Sequence, residues 1–197
     1  FILNPDVILT IEKFDQIISK LENESFSIAA PIEKHSGIEF QDKKVYEVND
    51  VKGFAMIIKR EVAINTLFDE NIFLYLEEID LCKSVLKKSG NIYFSHDLKI
   101  KHLGAKGSTA RSTEEKKELE NLRNWHYMWS SFYFYKKHYG YFFAVRQLGG
   151  KLFRSLFKTF IFLLFSQKVK KDKYLFRFLG LFNSMIGKKA FYRIEKN

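Results

Sequence analysis

Between Phe73 and Cys82 the chain reads FLYLEEIDLC, which sets three carboxylates within four residues, after an apolar run and before a helix-like one. Asp80 is expected in the first turn of that helix, where the macrodipole favours negative charge. Glu77 and Glu78 fall just before it, in a loop or first-turn position, and cannot both point to solvent along one face. Such a cluster suits proton abstraction, with one carboxylate as base and the others orienting it or holding a metal. Acidic residues also sit at helix starts for the dipole alone. What surrounds the cluster therefore decides how it is read.

The chain can afford a core around such a cluster. Its 197 residues fit one domain and an appendage. Apolar residues make up 46%, with two prolines and ten glycines, so a disordered chain is excluded. The single cysteine, Cys82, rules out an internal disulfide, fits a reduced cytoplasmic setting, and reads as a small core residue on the helix after the acids.

Read in order, Phe1-Ile2-Leu3 is a strand already in progress, so the natural protein is expected to begin upstream. A turn at Asn4-Pro5-Asp6 puts Asp6 past the carboxyl end of that strand, where open α/β sheets bind ligands. A plain Asn-Pro-Asp turn is the other reading. Thr10 is a predicted N-cap for a helix whose apolar face is Ile11, Phe14, Ile17, Ile18 and Leu21. Phe26 to Ala30 forms a strand ending at Pro31. Residues 33–50 are a polar loop with room for a hairpin, the stretch best suited to contact an acceptor, and its His35 reads as a surface histidine. Val51 to Lys59 is a strand in which Gly53 lets backbone or ligand approach. Glu61 to Leu67 is a short helix, and Leu81 to Lys88 a longer one that stops at Gly90 as its C′ residue. Ile92 to Phe94 and Leu98 to Lys101 are short strands, the second closed by His102. A histidine at a strand end is usually structural, but Gly104, Gly107 and Ser108 leave backbone N–H groups free to line an anion. Ser112 opens the next helix, whose aromatic residues, Trp125 and Trp129 among them, read as core.

Four of these pieces carry a resemblance. The block Phe68-Asp69-Glu70-x-x-Phe73-x-Tyr75-x-Glu77-Glu78-x-Asp80-Leu81-Cys82 resembles the FDE-x-x-F-x-Y-x-E-D-x-D-L-C block of family 2 glycosyltransferases, rhamnosyltransferase-like members in particular. Asn4-Pro5-Asp6 looks like the N-x-D form of that family's DxD motif. Gly53 to Arg60 looks like its G-x-A-M-L-I-R-R strand, and His102-Leu103-Gly104-x-x-Gly107-Ser108 like its His-x-Gly-rich motif. The likeness runs from Phe1 to about Gly140.

The resemblance implies an α/β chain: the C-terminal portion of a GT-A domain, Rossmann-like with a mainly parallel sheet, over residues 1–110. A helical, amphipathic, basic region follows over 111–197, and the nucleotide-recognising half would lie upstream. It implies an inverting enzyme that moves a sugar, rhamnose by analogy, from a nucleotide-sugar donor to a glycan or lipid-linked glycan in cell-surface polysaccharide synthesis. By the same resemblance Asn4, Asp6, Gly53, Ala55 and His102 meet the donor and its diphosphate. Asp6 and His102 hold a divalent ion, Mn²⁺ or Mg²⁺. The base maps onto Glu78, which is Glu where the family has Asp, so Glu77 and Asp80 stay open for that role. The 197 residues alone are expected to transfer little or nothing. The same Glu-for-Asp change leaves an alternative, a non-catalytic membrane-associated module of the same fold that binds sugar nucleotide or glycan.

The tail reads separately. From Lys136 onward there are fifteen Lys or Arg against two acids, within a chain of net charge +10. Over residues 152–165, Lys151, Arg154 and Lys158 share one helical face, while Leu152, Phe153, Leu156, Phe157, Phe160 and Leu164 fall opposite. Fourteen residues broken by two cations are too short and too charged to span a bilayer. They suit a helix lying in the interface of an anionic membrane, on its inner face. Packing against another protein surface is the other reading. Nucleic acid is not expected as a partner, because the cations alternate with Phe and aliphatic residues rather than tracking phosphates.

Overall fold

The computed structural model describes residues 1–10, 14–32, 45–65, 68–102 and 112–194. They fall into two compact units, Phe1–Asp69 with Glu77–Thr109, and Glu70–Leu76 with Ala110–Asn197. His35, Ile11 and the Gly104-to-Ser108 stretch lie outside the described residues.

The first unit is α/β. Its elements are β1 (Ile2–Leu3), β2 (Val7–Thr10), α1 (Phe14–Asn23), β3 (Phe26–Pro31), β4 (Val45–Glu47), β5 (Ala55–Ile58), α2 (Arg60–Asn65), α3 (Glu77–Lys87), β6 (Asn91–Ser95) and β7 (Lys99–His102). Five strands form a sheet in the order β1-β5-β3-β6-β4, and β2 pairs with β7 in a separate ladder.

Strand β3 is buried along its whole length because it is the middle strand. Alternation across the pleat then sorts its neighbours to two faces. Ile28, Ala30, Met56, Ile92 and Phe94 pack with Leu81, Cys82 and Val85 of α3. Ala29, Ile57 and Tyr93 pack with Ile17 and Leu21 of α1. Phe26 joins the second group despite sharing the parity of Ile28, because the β3–β6 register slips between Phe26 and Ile28.

The sheet is mixed, not mainly parallel. Only β3 and β6 run parallel; β1–β5, β3–β5 and β4–β6 are antiparallel. Parallel neighbours need a long crossover, and β3 and β6 have one that includes α3. Strand β5 enters reversed between β1 and β3, so the strand begun at Phe1 finds its partner within the described chain, with Leu3 opposite Ala55.

Three local expectations change. Thr10 is the last residue of β2, opposite Lys99, rather than a helix cap. Gly53 lies in the turn before β5, not inside a strand. Helix α3 ends in a Schellman motif whose left-handed residue is Ser89 (φ 60°), not Gly90. Ser89 N–H donates to Leu86 O at 3.1 Å and Gly90 N–H to Val85 O at 3.0 Å, which makes Gly90 the C″ residue. Glycine is required there for space, since a Cβ would come within 2.5 Å of Val85 Cγ1 and 2.7 Å of Ser27 Oγ.

The second unit is helical: α4 (Thr113–Tyr139), α5 (Tyr141–Leu164) and α6 (Lys168–Met185). A capping box starts α4. Glu115 N–H donates to Ser112 Oγ and Ser112 N–H to the Glu115 carboxylate, both at 3.1 Å. Gly140, at φ 92°, ends α4 and starts α5 in one residue, as its N–H donates to Lys136 O and its carbonyl accepts from Ala144. Met128, Phe132, Ala144, Leu148 and Leu181 form the core, with Leu152 against it. Trp125 and Trp129 are buried, as their type suggests. Gly180 faces the Trp125 backbone carbonyl so closely that a Cβ would collide with it. Asp172 is bridged by Lys117 and Lys171 at 2.7 and 2.9 Å. Among the described residues no helix is long and apolar enough to cross a membrane.

Candidate functional site

Two residues with left-handed backbone, Tyr75 and Leu76, both at φ 69°, turn the chain abruptly into α3. For bulky side chains this conformation costs about 1–3 kcal/mol each, and such strain tends to gather at functional sites. The helix then starts at Glu77, so Glu77, Glu78 and Asp80 all occupy its first turn. The backbone dipole there favours their charge.

Glu77 and Glu78 line a cavity of about 530 Å³ in the first unit, together with Ile2, Asn4, Lys52, Gly53, Phe54 and Phe68. Its walls are set by short connections. Asn4 N–H donates to Phe54 O at 2.8 Å, tying the end of β1 to the turn before β5. Val7 N–H donates to Asn4 O at 3.1 Å and closes the Pro5-Asp6 turn. Gly53 packs closely on Glu78: a Cβ there would lie 3.3 Å from Glu78 Cβ, tight enough that the glutamate would have to shift slightly.

Burial raises the Glu78 carboxyl above its ordinary 4.5, and the charge of Glu77 adds to the effect; the Glu78 backbone N–H and Lys52 pull the other way. Among the described residues, Glu77 Oε2 is buried without a hydrogen-bond partner. The cavity thus contains a half-buried carboxylate that accepts a proton more readily than usual, beside an acceptor atom with capacity to spare.

The sequence candidates separate into three places. Asn4, Gly53, Glu77 and Glu78 meet at the cavity. Asp80, 1% exposed, and Ala55, opposite Leu3 in the sheet, are buried and do not line it. Asp6 sits in the turn before β2, and His102 ends β7 opposite Val7, so the ladder brings their backbones close; the His102 side chain lies outside the described residues. Among the described residues, no three His, Cys, Asp or Glu side chains converge as a metal cage would require. Asp6 is therefore not surrounded by a described protein-only ligand set that fits the expected ion, and no step below is routed through a metal.

Lys52, Phe54, Phe68 and Ile2 also line the cavity, though sequence reasoning did not place them there. Lys52 and Phe54 flank Gly53, and that glycine was the available signal that the turn approaches something closely. Cys82, one turn beyond Glu78, is fully buried, and burial pushes its thiol up to about 11, so it packs and does not react. A scan against protein-family models and searches of curated proteins and of solved structures found no match to this chain.

Proposed function

We propose that the chain is the acceptor-side portion of an inverting glycosyltransferase of the family 2 type, acting on a nucleotide-sugar donor. The observation that carries this reading is the Glu77–Glu78 pair facing the cavity, with the Glu78 carboxyl raised by burial. In this mechanism Glu78 takes the proton of an acceptor hydroxyl as its oxygen attacks the anomeric carbon. Glu77, which lines the same cavity, orients the acceptor sugar by accepting a hydrogen bond from a second hydroxyl. Phe54 and Phe68 offer apolar faces to a sugar ring, and Lys52 supplies the cation in the cavity lining. The leaving diphosphate accumulates negative charge as the bond breaks. Asn4, in the cavity lining, would meet it, and Asp6 and His102 would be the pair to hold Mn²⁺ or Mg²⁺, which would supply charge stabilisation if bound.

The donor sugar, the glycan or lipid-linked acceptor and peripheral attachment to the inner face of the membrane belong to the same proposal. Sugar transfer by the full-length gene product, with Mn²⁺ and a panel of sugar nucleotides, tests it. Turnover that Glu78→Gln lowers about 10²–10⁴-fold supports the reading. Donor binding without turnover in the unmutated protein would instead support a non-catalytic module of the same fold.

A further inference from the structure

A second cavity, of about 330 Å³, lies within the helical unit. Its lining is Tyr127, Met128, Lys151, Arg154, Ser155, Lys158, Tyr174 and Arg177. Four of the eight are cations and none is an acid. No carboxylate among the described residues is paired with any of the four. The acid nearest in sequence, Asp172, is already held by Lys117 and Lys171.

Two of the four cations, Lys158 and Arg177, are held by side-chain contacts, and the helix spacing of α5 brings Lys151 and Arg154 to the same cavity. Lys151, Arg154 and Lys158 recur at helical spacing along α5. Lys158 Nζ donates to Tyr174 Oη at 3.0 Å and stands 4.7 Å over the same ring, which restrains it at the cavity wall. Arg177 donates through Nε to Asn124 Oδ1 at 2.7 Å, which fixes the guanidinium while leaving its terminal N–H groups available. The buried Ser155 adds a hydroxyl. The result is a set of charged donors with no carboxylate among the lining residues, in a space large enough for a small anion.

The same helix presents an apolar stripe. Phe153, Phe157, Phe160 and Leu164 are 72%, 66%, 58% and 82% exposed. At about 100° per residue the stripe lies about a third of a turn from the row of cations. A helix that immerses such a stripe in acyl chains carries its flanking cations at the depth of the lipid phosphates. Lys168, Lys170, Lys171 and Lys173 at the start of α6 add positive charge to the same unit.

We propose that this cavity is a binding site for the phosphomonoester headgroup of an anionic phospholipid, with the α5 stripe inserted among the acyl chains. A phosphomonoester offers more charge and more free oxygens than a diester, so it uses four converging donors better. The inference deepens the peripheral membrane attachment included in the proposed function but rests on the helical unit alone, so loss of vesicle binding would leave the glycosyl-transfer reading of the other unit standing.

The test is co-sedimentation of the 197-residue chain with three kinds of vesicle: phosphatidylcholine alone, and phosphatidylcholine with phosphatidic acid or with phosphatidylglycerol. The two anionic fractions are set to equal surface charge. We expect binding to phosphatidic acid vesicles to exceed binding to phosphatidylglycerol by about fivefold or more, roughly the contribution of one well-placed cation. Lys151→Gln with Arg154→Gln, both exposed, should abolish that preference. Lys168→Gln with Lys170→Gln should weaken both anionic vesicles together and leave the ratio intact. Phe153→Ser with Phe157→Ser should lose vesicles but keep inorganic phosphate, followed by calorimetry. Equal binding to the two anionic vesicles overturns the proposal. So does inorganic phosphate or RNA binding that depends on Arg154 in a protein that ignores vesicles.

Discussion

The two cavities invert each other. In the α/β unit, two carboxylates face a cavity of about 530 Å³, one of them with its pKa raised by burial. In the helical unit, four cations line one of about 330 Å³, with Lys151 and Arg154 exposed. The first arrangement places charge where water is scarce and where charging costs free energy. The second holds Lys158 on Tyr174 and Arg177 on Asn124, and leaves Lys151 and Arg154 exposed to solvent. The acidic cavity is therefore organised for moving a proton, and the basic one for holding an anion that arrives already charged.

The comparison breaks most visibly at Glu78. Replacing it with Gln should cost about 10²–10⁴ in turnover of the full-length protein, read in a sugar-transfer assay. The same change should make the α/β unit more resistant to denaturant at neutral pH. Its carboxyl has a folded pKa above 4.5, so between 4.5 and that value the folded state holds a proton that the unfolded state has released. Glu78 therefore stabilises least at high pH, its cost fading as the pH falls through that window. Gln should flatten this slope, and an unchanged midpoint at pH 7 would show that the charge is not strained. The acid limb of the pH–rate profile should likewise lie above the range of an ordinary glutamate.

The helical unit breaks most readily by packing rather than charge. Gly180→Ala forces a methyl into the Trp125 carbonyl and should cost about 3 kcal/mol, measured by chemical denaturation followed through helix content. Lys151→Gln, on the exposed row, should leave that midpoint within about 0.5 kcal/mol.

Acid should act oppositely on the two units. His126 is fully buried and donates through Nε2 to Tyr192 O at 2.8 Å, and burial lowers its pKa below 6.5. In the window below 6.5 the unfolded chain binds a proton that the folded one refuses, so the helical unit loses stability as the pH falls. His126→Asn should remove up to one proton from that dependence. A His126 imidazole titrating at or above 6.5 by NMR would contradict the burial argument.

The smallest expected effect is at Ser89. A left-handed serine pays a conformational penalty that glycine does not, so Ser89→Gly should stabilise the α/β unit by roughly 0.5–1 kcal/mol.

What could be read in the residues and what could not divides along physical lines. The first turn of α3 was legible, because acids before a helical apolar pattern have few other places to go. The buried tryptophans of α4 and the helix start at Ser112 were legible for similar local reasons, whereas the capping box that Glu115 completes there was not read from the sequence. Strand direction was not, since it depends on which strands become neighbours, and β5 enters between β1 and β3 from far along the chain. Ser89 took the left-handed position expected of Gly90 because steric space beside Ser27 and Val85, not backbone freedom, is what the glycine supplies. Of the cavity lining, the acids could be inferred locally. Lys52 had only the indirect signal of its neighbour Gly53, and Ile2 and Phe68 arrive there through tertiary structure alone.

The stretch 70–76 has a consequence for the order in which the protein is made. It is held by partners synthesised much later. Ser130 Oγ donates to Leu74 O at 2.8 Å across 56 residues, Phe73 lies 4.9 Å from the His126 ring, and Arg193 stands 3.4 Å over Phe73. A chain emerging from the ribosome can complete the strands around β3 once β6 has appeared. The contacts of residues 70–76, the left-handed pair Tyr75–Leu76 among them, must wait for α4 and for Arg193. A nascent chain arrested shortly after β7 should therefore protect the amides of β3 from hydrogen exchange while leaving those of residues 70–76 open.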